Sequence, residues 1–209
     1  GGGGGGVLVD TVSLQPGRYE VVVGAGGTGG YDYANNNNFS GAYRTSTNGG
    51  LSKFGKFIAY GGGAGGQTCT SFNNGNPLTG ASGGGGSTDT GTPATAPSVI
   101  AYNPNRKYGA KAIYGQSQGF DGGDALYVTS PNTAVMGGGG GGAGGRGGNA
   151  TNLKAGNGGI GKISEITGDK VYYGGGGGGG AGGDTPDYGE GGTGGVGGGA
   201  SARGSVQLL

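Results

Sequence analysis

The stretch GGGGGGAGGRGG, residues 137–148, decides how this chain folds. A segment that is almost free of side chains cannot form a hydrophobic core, so its peptide groups need hydrogen-bond partners of their own. Related tracts occupy residues 1–6, 61–66, 174–183 and 191–199, and 66 of the 209 residues are glycine. The fold must therefore either leave these tracts disordered or pair their backbones with one another.

Three structures are typical of glycine-rich chains. Collagen requires glycine at every third position and abundant proline, whereas this chain has seven prolines and no sustained Gly-X-Y frame. Flexible glycine linkers lack apolar segments, which this chain contains. The third structure is polyglycine II, a helix of three residues per turn that hydrogen-bonds only to its neighbours. We therefore predict an all-β or irregular fold, a sandwich or bundle of packed polyglycine-II helices with essentially no α-helix.

Short apolar stretches between the tracts predict strands. Residues 7–14 and 18–23 alternate around Gln15-Pro16-Gly17, which predicts a β-hairpin. A second hairpin is predicted from 160–166 and 170–173, with a turn at Thr167-Gly168-Asp169. Single strands are predicted at 51–60, 98–102, 125–129 and 205–209.

Composition argues against several functional classes. The 12 basic and 11 acidic residues nearly cancel, which gives no sign of a nucleic-acid partner. The absence of histidine removes the commonest general base and metal ligand. GAGGTG at 24–29 matches the dinucleotide fingerprint, but no helical apolar period follows it. We therefore expect no enzymatic activity, no cofactor and no metal.

The single cysteine and the apolar patterning indicate a setting. Cys69 cannot form an intramolecular disulfide, which favours a phage or bacterial surface protein over a small secreted eukaryotic domain. No apolar stretch reaches the ~20 residues of a membrane span, so no membrane insertion is expected. A chain that opens in glycine suggests a processed or truncated product.

Four polar segments separate the tracts and are predicted to be loops of a single domain, residues 1–209. The loops are 31–48, 67–82, 87–136 and 184–190. They are rich in Tyr, Asn, Ser and Gly, the composition of recognition surfaces on a rigid base. The predicted contact residues are Tyr31, Tyr33, Asn36, Phe39, Tyr43, Arg44, Phe72, Asn74, Tyr102, Asn105, Arg106, Tyr108, Tyr114 and Tyr188. The alternative is that these side chains satisfy turns and pack on the scaffold.

Three stretches carry a resemblance to a known family: SLQPGRYEVVVGAGGTGG at 13–30, LSKFGKFIAYGGGAGG at 51–66 and GSVQLL at 204–209. Together with the long tracts, they resemble the glycine-rich domains of phage tail proteins, above all the tip adhesins of T-even-type long tail fibres. The glycine-rich extracellular region of anaplastic lymphoma kinase is similar in style.

The resemblance implies a sandwich of polyglycine-II helices whose variable loops contact a host receptor. It places the chain at the tip of a virion tail fibre, or on a similar extracellular surface fibre. The implied partners are a bacterial surface receptor, protein or glycan, and a fibre shaft protein. The chain departs from the family pattern because it shows no N-terminal fibre-attachment domain.

Two other functions stay open on the sequence alone. One is a structural spacer or decoration domain of a virion or cell-surface fibre without a receptor. The other is ice binding, which predicts ordered rows of Thr or Ala on one face of the bundle.

Overall fold

The computed structural model describes residues 1–29, 46–66, 77–87, 118–128, 134–183 and 189–204. Within these residues the chain forms short antiparallel strands and no helix, which confirms the predicted all-β or irregular class. The strands are β1 (Val21–Val22), β2 (Ser52–Phe54), β3 (Phe57–Ala59), β4 (Leu126–Val128), β5 (Ala134–Met136), β6 (Lys162–Ser164), β7 (Val171–Tyr173) and β8 (Ala181–Gly183). They make three small sheets in the orders β1-β2-β3, β4-β5-β8 and β6-β7.

Residues 137–142 form the centre of the molecule. The N–H groups of these six residues donate hydrogen bonds to three neighbouring segments in turn. Residues three positions apart in the sequence therefore bond to the same neighbour. The donor–acceptor pairs are Gly137–Gly180 and Gly140–Gly177, Gly138–Gly86 and Gly141–Gly83, and Gly139–Gly148 and Gly142–Gly145. A repeat of three residues per direction is the period of polyglycine II.

The carbonyl groups of the same residues accept hydrogen bonds from three further segments, again with a period of three residues. Their donors are Gly156 and Gly159, Gly1 and Gly4, and Gly123 and Phe120. Six neighbours therefore surround the central segment, with N···O distances from 2.7 to 3.1 Å. We call this hydrogen-bonded array of extended segments the polyglycine lattice. It satisfies every backbone group of 137–142 without any internal hydrogen bond.

The central segment of the lattice, residues 137–142, requires glycine for space rather than for conformational freedom. None of residues 137–142 has φ in the left-handed region that favours glycine. A Cβ added at Gly139 would overlap the carbonyl oxygen of Asn157, and one added at Gly140 would overlap that of Gly2. Neighbouring backbones are therefore in direct contact, as close as close-packed protein interiors allow.

The register of the hydrogen bonds fixes the direction of each segment. Segment 1–6 runs parallel to 137–142 and antiparallel to 60–66, and 82–85 runs parallel to 63–66. The pairs that establish this are Gly1–Gly138 and Gly4–Gly141, Gly3–Gly63 and Gly6–Tyr60, and Gly63–Ser82 and Gly66–Gly85. The segments thus share one axis, and the molecule has two ends.

Hairpins occupy one of these ends, which we call the hairpin end and define by the turns at Gly55 and Gly168. The predicted hairpin 160–166 with 170–173 is confirmed as β6 and β7, and Gly168 has φ 96° in its turn. The predicted strand 51–60 is wrong as a single strand. It folds back at Gly55, φ 54°, into β2 and β3.

The predicted hairpin of 7–14 with 18–23 is also wrong. Residues 7–14 form no strand, and β1 pairs instead with β2, in the register Val21 with Phe54 and Val22 with Lys53. The tight turn at Gly55 supplies a preformed strand edge, and this edge competes successfully with the looser Pro16-Gly17 connection for β1.

The sheet β4-β5-β8 holds the small apolar core of the described residues. Ala134 and Met136 are fully buried, and Leu126, Ala150 and Ala181 pack against them. β4 confirms the strand predicted at 125–129, whereas β5 and β8 were not predicted. The predicted strands at 98–102 and 205–209 lie outside the described residues.

Candidate functional site

The end of the lattice opposite the hairpins holds the described residues that flank four of the undescribed segments on both sides. We call it the loop-bearing end and define it by Gly29, Ser46, Gly66 and Ser87. The segments are 30–45, 67–76, 129–133 and 184–188. The fifth, 88–117, begins at this end after Ser87, whereas Gln118 on its far side lies toward the hairpin end, bonded to Tyr60 and Ile58.

Two threonines close the base of segment 30–45. Thr47 N donates to Thr28 O at 3.1 Å, Thr28 N donates to Thr47 Oγ1 at 3.0 Å, and the two hydroxyl oxygens lie 3.0 Å apart. Three hydrogen bonds between one pair of residues fix the separation and relative angle of the two chain ends. The lattice therefore sets where segment 30–45 leaves and where it returns.

Asn48 and Ser46 couple this base to the base of the second segment, 67–76. The Asn48 side chain accepts a hydrogen bond from Ala64 N at 2.9 Å and donates one to Thr79 O at 2.5 Å. Ser46 Oγ donates to Gly65 O at 3.1 Å. The two bases are thus held in one fixed arrangement by side chains that substitute for lattice peptide groups.

All fourteen predicted contact residues lie outside the described residues, so their recognition role stays a prediction. They are Tyr31, Tyr33, Asn36, Phe39, Tyr43, Arg44, Phe72, Asn74, Tyr102, Asn105, Arg106, Tyr108, Tyr114 and Tyr188. What the structure does place is the set of residues that flank the segments carrying them. Eight of the fourteen belong to 30–45 and 67–76, the two segments whose bases Ser46 and Asn48 join.

Parts of the predicted loops belong to the lattice or its sheets. In the loop 67–82, Ala81 N donates to Gly61 O at 2.8 Å, and Ala81 and Ser82 are fully buried. In the loop 87–136, residues 118–128 and 134–136 contribute one lattice segment and two strands. Short stretches with mixed composition thus join the scaffold because their backbones complete its hydrogen bonding.

A groove of about 630 Å³ lies beside these loop bases, with walls made almost entirely of peptide backbone. Four segments form it, drawn from residues 1–5, 24–29, 46–50 and 61–66, and no side chain lining it is larger than threonine. Its surface is therefore a set of peptide donors and acceptors rather than an apolar pocket.

The hairpin end has the opposite character. A cleft of about 580 Å³ is lined there mainly by apolar side chains from residues 7–12, β1, the β2–β3 hairpin and Tyr173. Val21 is 66% exposed, Val23 86% and Ile166 84%. Exposed apolar side chains thus distinguish this end from the peptide-walled groove.

Four isolated ion pairs form among the described residues. Lys53 pairs with Glu20, Lys154 with Glu190 and Lys170 with Glu165, all on the surface, where such pairs contribute little. The carboxylate of Asp121 is buried beside the lattice, 3.6 Å from the exposed guanidinium of Arg146.

Neither a metal site nor a membrane span is found in the part of the chain that the structure describes. No three His, Cys, Asp or Glu side chains cluster there as metal ligands would. No helix there has the length and apolar character needed to cross a bilayer.

Gln118 and Asn48 are structural residues that sequence reasoning missed. Gln118 is 0% exposed; its Oε1 accepts from Tyr60 N at 2.9 Å and its Nε2 donates to Ile58 O at 2.8 Å. Each amide mimics a peptide group at the boundary of a glycine tract. The sequence gives only a weak signal for either residue: Asn48 directly precedes Gly49-Gly50, whereas Gln118 precedes the single Gly119.

The glycine-rich sequence of the lattice has a counterpart among known families. A family profile described as a glycine-rich domain matches residues 1–207. The chain belongs to this glycine-rich domain family. No curated protein and no solved structure matches the chain.

Proposed function

We propose that this glycine-rich domain is a non-enzymatic receptor-binding adhesin, located at the tip of a phage tail fibre or of a similar surface fibre. Its polyglycine lattice would present Tyr- and Asn-rich loops to a bacterial outer-surface protein or glycan. The observation that carries the proposal is that residues flanking four separate polar segments meet at one end of a rigid lattice.

Preorganisation is what the lattice adds to such loops. Binding costs less when the bases of contact loops are already fixed, because less conformational freedom is lost. Here Thr28 with Thr47, and Asn48 with Ala64 and Thr79, fix two bases by side-chain hydrogen bonds. The loops can vary in sequence and length without disturbing the lattice beneath them.

The loop composition supports recognition of a protein or a sugar. Tyrosine offers a large contact area and a hydroxyl at low entropic cost, and asparagine offers both a donor and an acceptor. In the segment 88–117, Tyr102 and Tyr108 bracket the polar stretch NPNRK. Aromatic side chains in such settings commonly dominate the binding energy.

Adsorption of the fluorescently labelled protein to a panel of bacterial strains with defined surface mutations tests the proposal. We expect saturable binding to some strains, loss of binding when one outer-surface component is deleted, and a reduction of more than about tenfold for the variant Tyr102→Ala/Tyr108→Ala. The melting temperature of this variant should stay that of the wild type. The matched control is Tyr172→Ala/Tyr173→Ala, which removes two exposed tyrosines at the hairpin end.

A second candidate is a structural spacer or decoration domain of a virion or surface fibre. The exposed apolar side chains of the hairpin end favour it, since a domain packed between two others needs such a surface. It predicts no adsorption to any strain and equal behaviour of both double variants, which separates it from the adhesin.

A further inference from the structure

The peptide-walled groove has the form of a lattice position that none of the described segments fills. Around residues 137–142 all six neighbouring positions are occupied, whereas the groove lies between 1–6 and 61–66, two segments that bond directly to each other. Its other two walls, 46–50 and 24–29, are themselves bonded through Gly50 N and Ala25 O at 2.8 Å. Lattice segments thus enclose the groove on several sides.

The walls offer hydrogen-bonding groups with the period of the lattice. The N–H groups of Gly63 and Gly66 bond to Ser82 and Gly85. Gly62 and Gly65 lie three residues apart, so their N–H groups share another direction. Within the described part of the chain these two N–H groups have no partner, and both residues line the groove.

Three glycines that line the groove have open space beside them. A Cβ added at Gly4 would overlap the carbonyl of Gly174, whereas one added at Gly5 meets nothing within 4 Å. Gly26 and Gly29, again three residues apart, are equally open on the opposite wall. An incoming chain therefore has room beside Gly5, Gly26 and Gly29.

We propose that this groove binds one more extended glycine-rich peptide segment, which completes the lattice as an additional polyglycine-II strand. Main-chain hydrogen bonds to the N–H groups of Gly62 and Gly65 would supply affinity, as in strand addition to a sheet edge. Selectivity for glycine is expected because occupied lattice positions lie so close together that an added Cβ overlaps a neighbouring carbonyl oxygen, as at Gly139 and Gly140. The inference does not depend on the proposed receptor role of the loops.

The test measures binding of the peptide KGGGGGGK, in which the lysines give solubility, to the full chain of 209 residues. We expect saturable binding, with shifted NMR signals and slowed exchange for the amides of Gly62 and Gly65. The peptide KAAAAAAK has the same charge and length but carries Cβ atoms, and it should bind at least about tenfold more weakly.

Three leucine variants locate the binding. Gly5→Leu and Gly26→Leu place a side chain in the groove at positions with open space, so the fold is kept while peptide binding falls by about tenfold or more. Gly180→Leu is the matched control, since its added Cβ also meets nothing within 4 Å but it does not line the groove. This control should bind KGGGGGGK as the wild type does.

Several outcomes overturn the proposal. One is no saturable binding of KGGGGGGK by protein with the wild-type melting temperature. Another is equal binding of the alanine peptide, or undiminished binding by folded Gly5→Leu and Gly26→Leu. Self-association of the chain that Gly5→Leu abolishes, without peptide binding, would assign the groove to a second copy instead.

Discussion

The centre of the lattice and the hairpin end are stabilised by opposite means. Residues 137–142 have no side chains, and all their backbone groups bond to neighbouring segments. The hairpin end carries large apolar side chains, many of them exposed, on strands of two or three residues. In the first region we expect an added methyl group to disrupt the fold. In the second we expect a whole side chain to change at little cost to the fold.

The variant Gly140→Ala tests this contrast most strongly. The new Cβ would overlap the carbonyl oxygen of Gly2, so two lattice segments must separate and lose hydrogen bonds. We expect a loss of about 3 kcal/mol or more in the free energy of unfolding, or no folded protein at all. Gly180→Ala is the control, because its Cβ meets nothing within 4 Å and stability should stay within about 0.5 kcal/mol. Equal denaturation midpoints for the two variants would contradict a lattice held by backbone contact.

Gln118→Leu tests the boundary between the two regions. Gln118 joins the lattice to the hairpin end through bonds to Tyr60 N and Ile58 O, and leucine would leave both partly buried peptide groups without these partners. We expect a loss of about 2 kcal/mol in urea denaturation. Gln118→Glu, which keeps the acceptor and removes the donor, should show whether the bond to Ile58 O carries part of the effect. A stable leucine variant would mean that the two regions are independent.

Val23→Thr tests the hairpin end itself and has the smallest expected effect on the free energy of unfolding. Val23 is 86% exposed, so its replacement by an isosteric polar side chain should change the free energy of unfolding by less than about 0.5 kcal/mol. The melting temperature checks this. A loss of more than about 1 kcal/mol would show that the apolar residues of the hairpin end stabilise the isolated chain.

The sequence was informative wherever a side-chain pattern or a turn residue exists. β6 and β7 were predicted because apolar residues flank Thr167-Gly168-Asp169, and β4 because 125–129 is apolar. β8 was missed because Ala181–Gly183 lies inside a glycine tract, where no side chains distinguish a strand from a lattice segment. β1 was predicted with the wrong partner, since the Pro16-Gly17 turn signal favoured residues 7–14 and no local signal indicated that β2 lies beside β1.

The candidate site, like the strands, could be predicted from the sequence only in part. Composition alone indicated which segments are polar and aromatic, and where the tracts between them lie. It could not indicate that the flanks of 30–45, 67–76, 129–133 and 184–188 meet at one end, because that depends on the direction of each lattice segment.

By itself, the sequence determined that glycine backbones must bond to one another, since no side chains were available to form an ordinary core. It also determined the period of three, because that period belongs to the extended glycine helix and not to any particular arrangement. Only the tertiary structure decided which segments are neighbours, which run parallel, and which lattice position the described residues leave open. The physical reason is that glycine tracts are interchangeable locally, so only the lengths and anchoring residues of the connecting segments distinguish one arrangement from another.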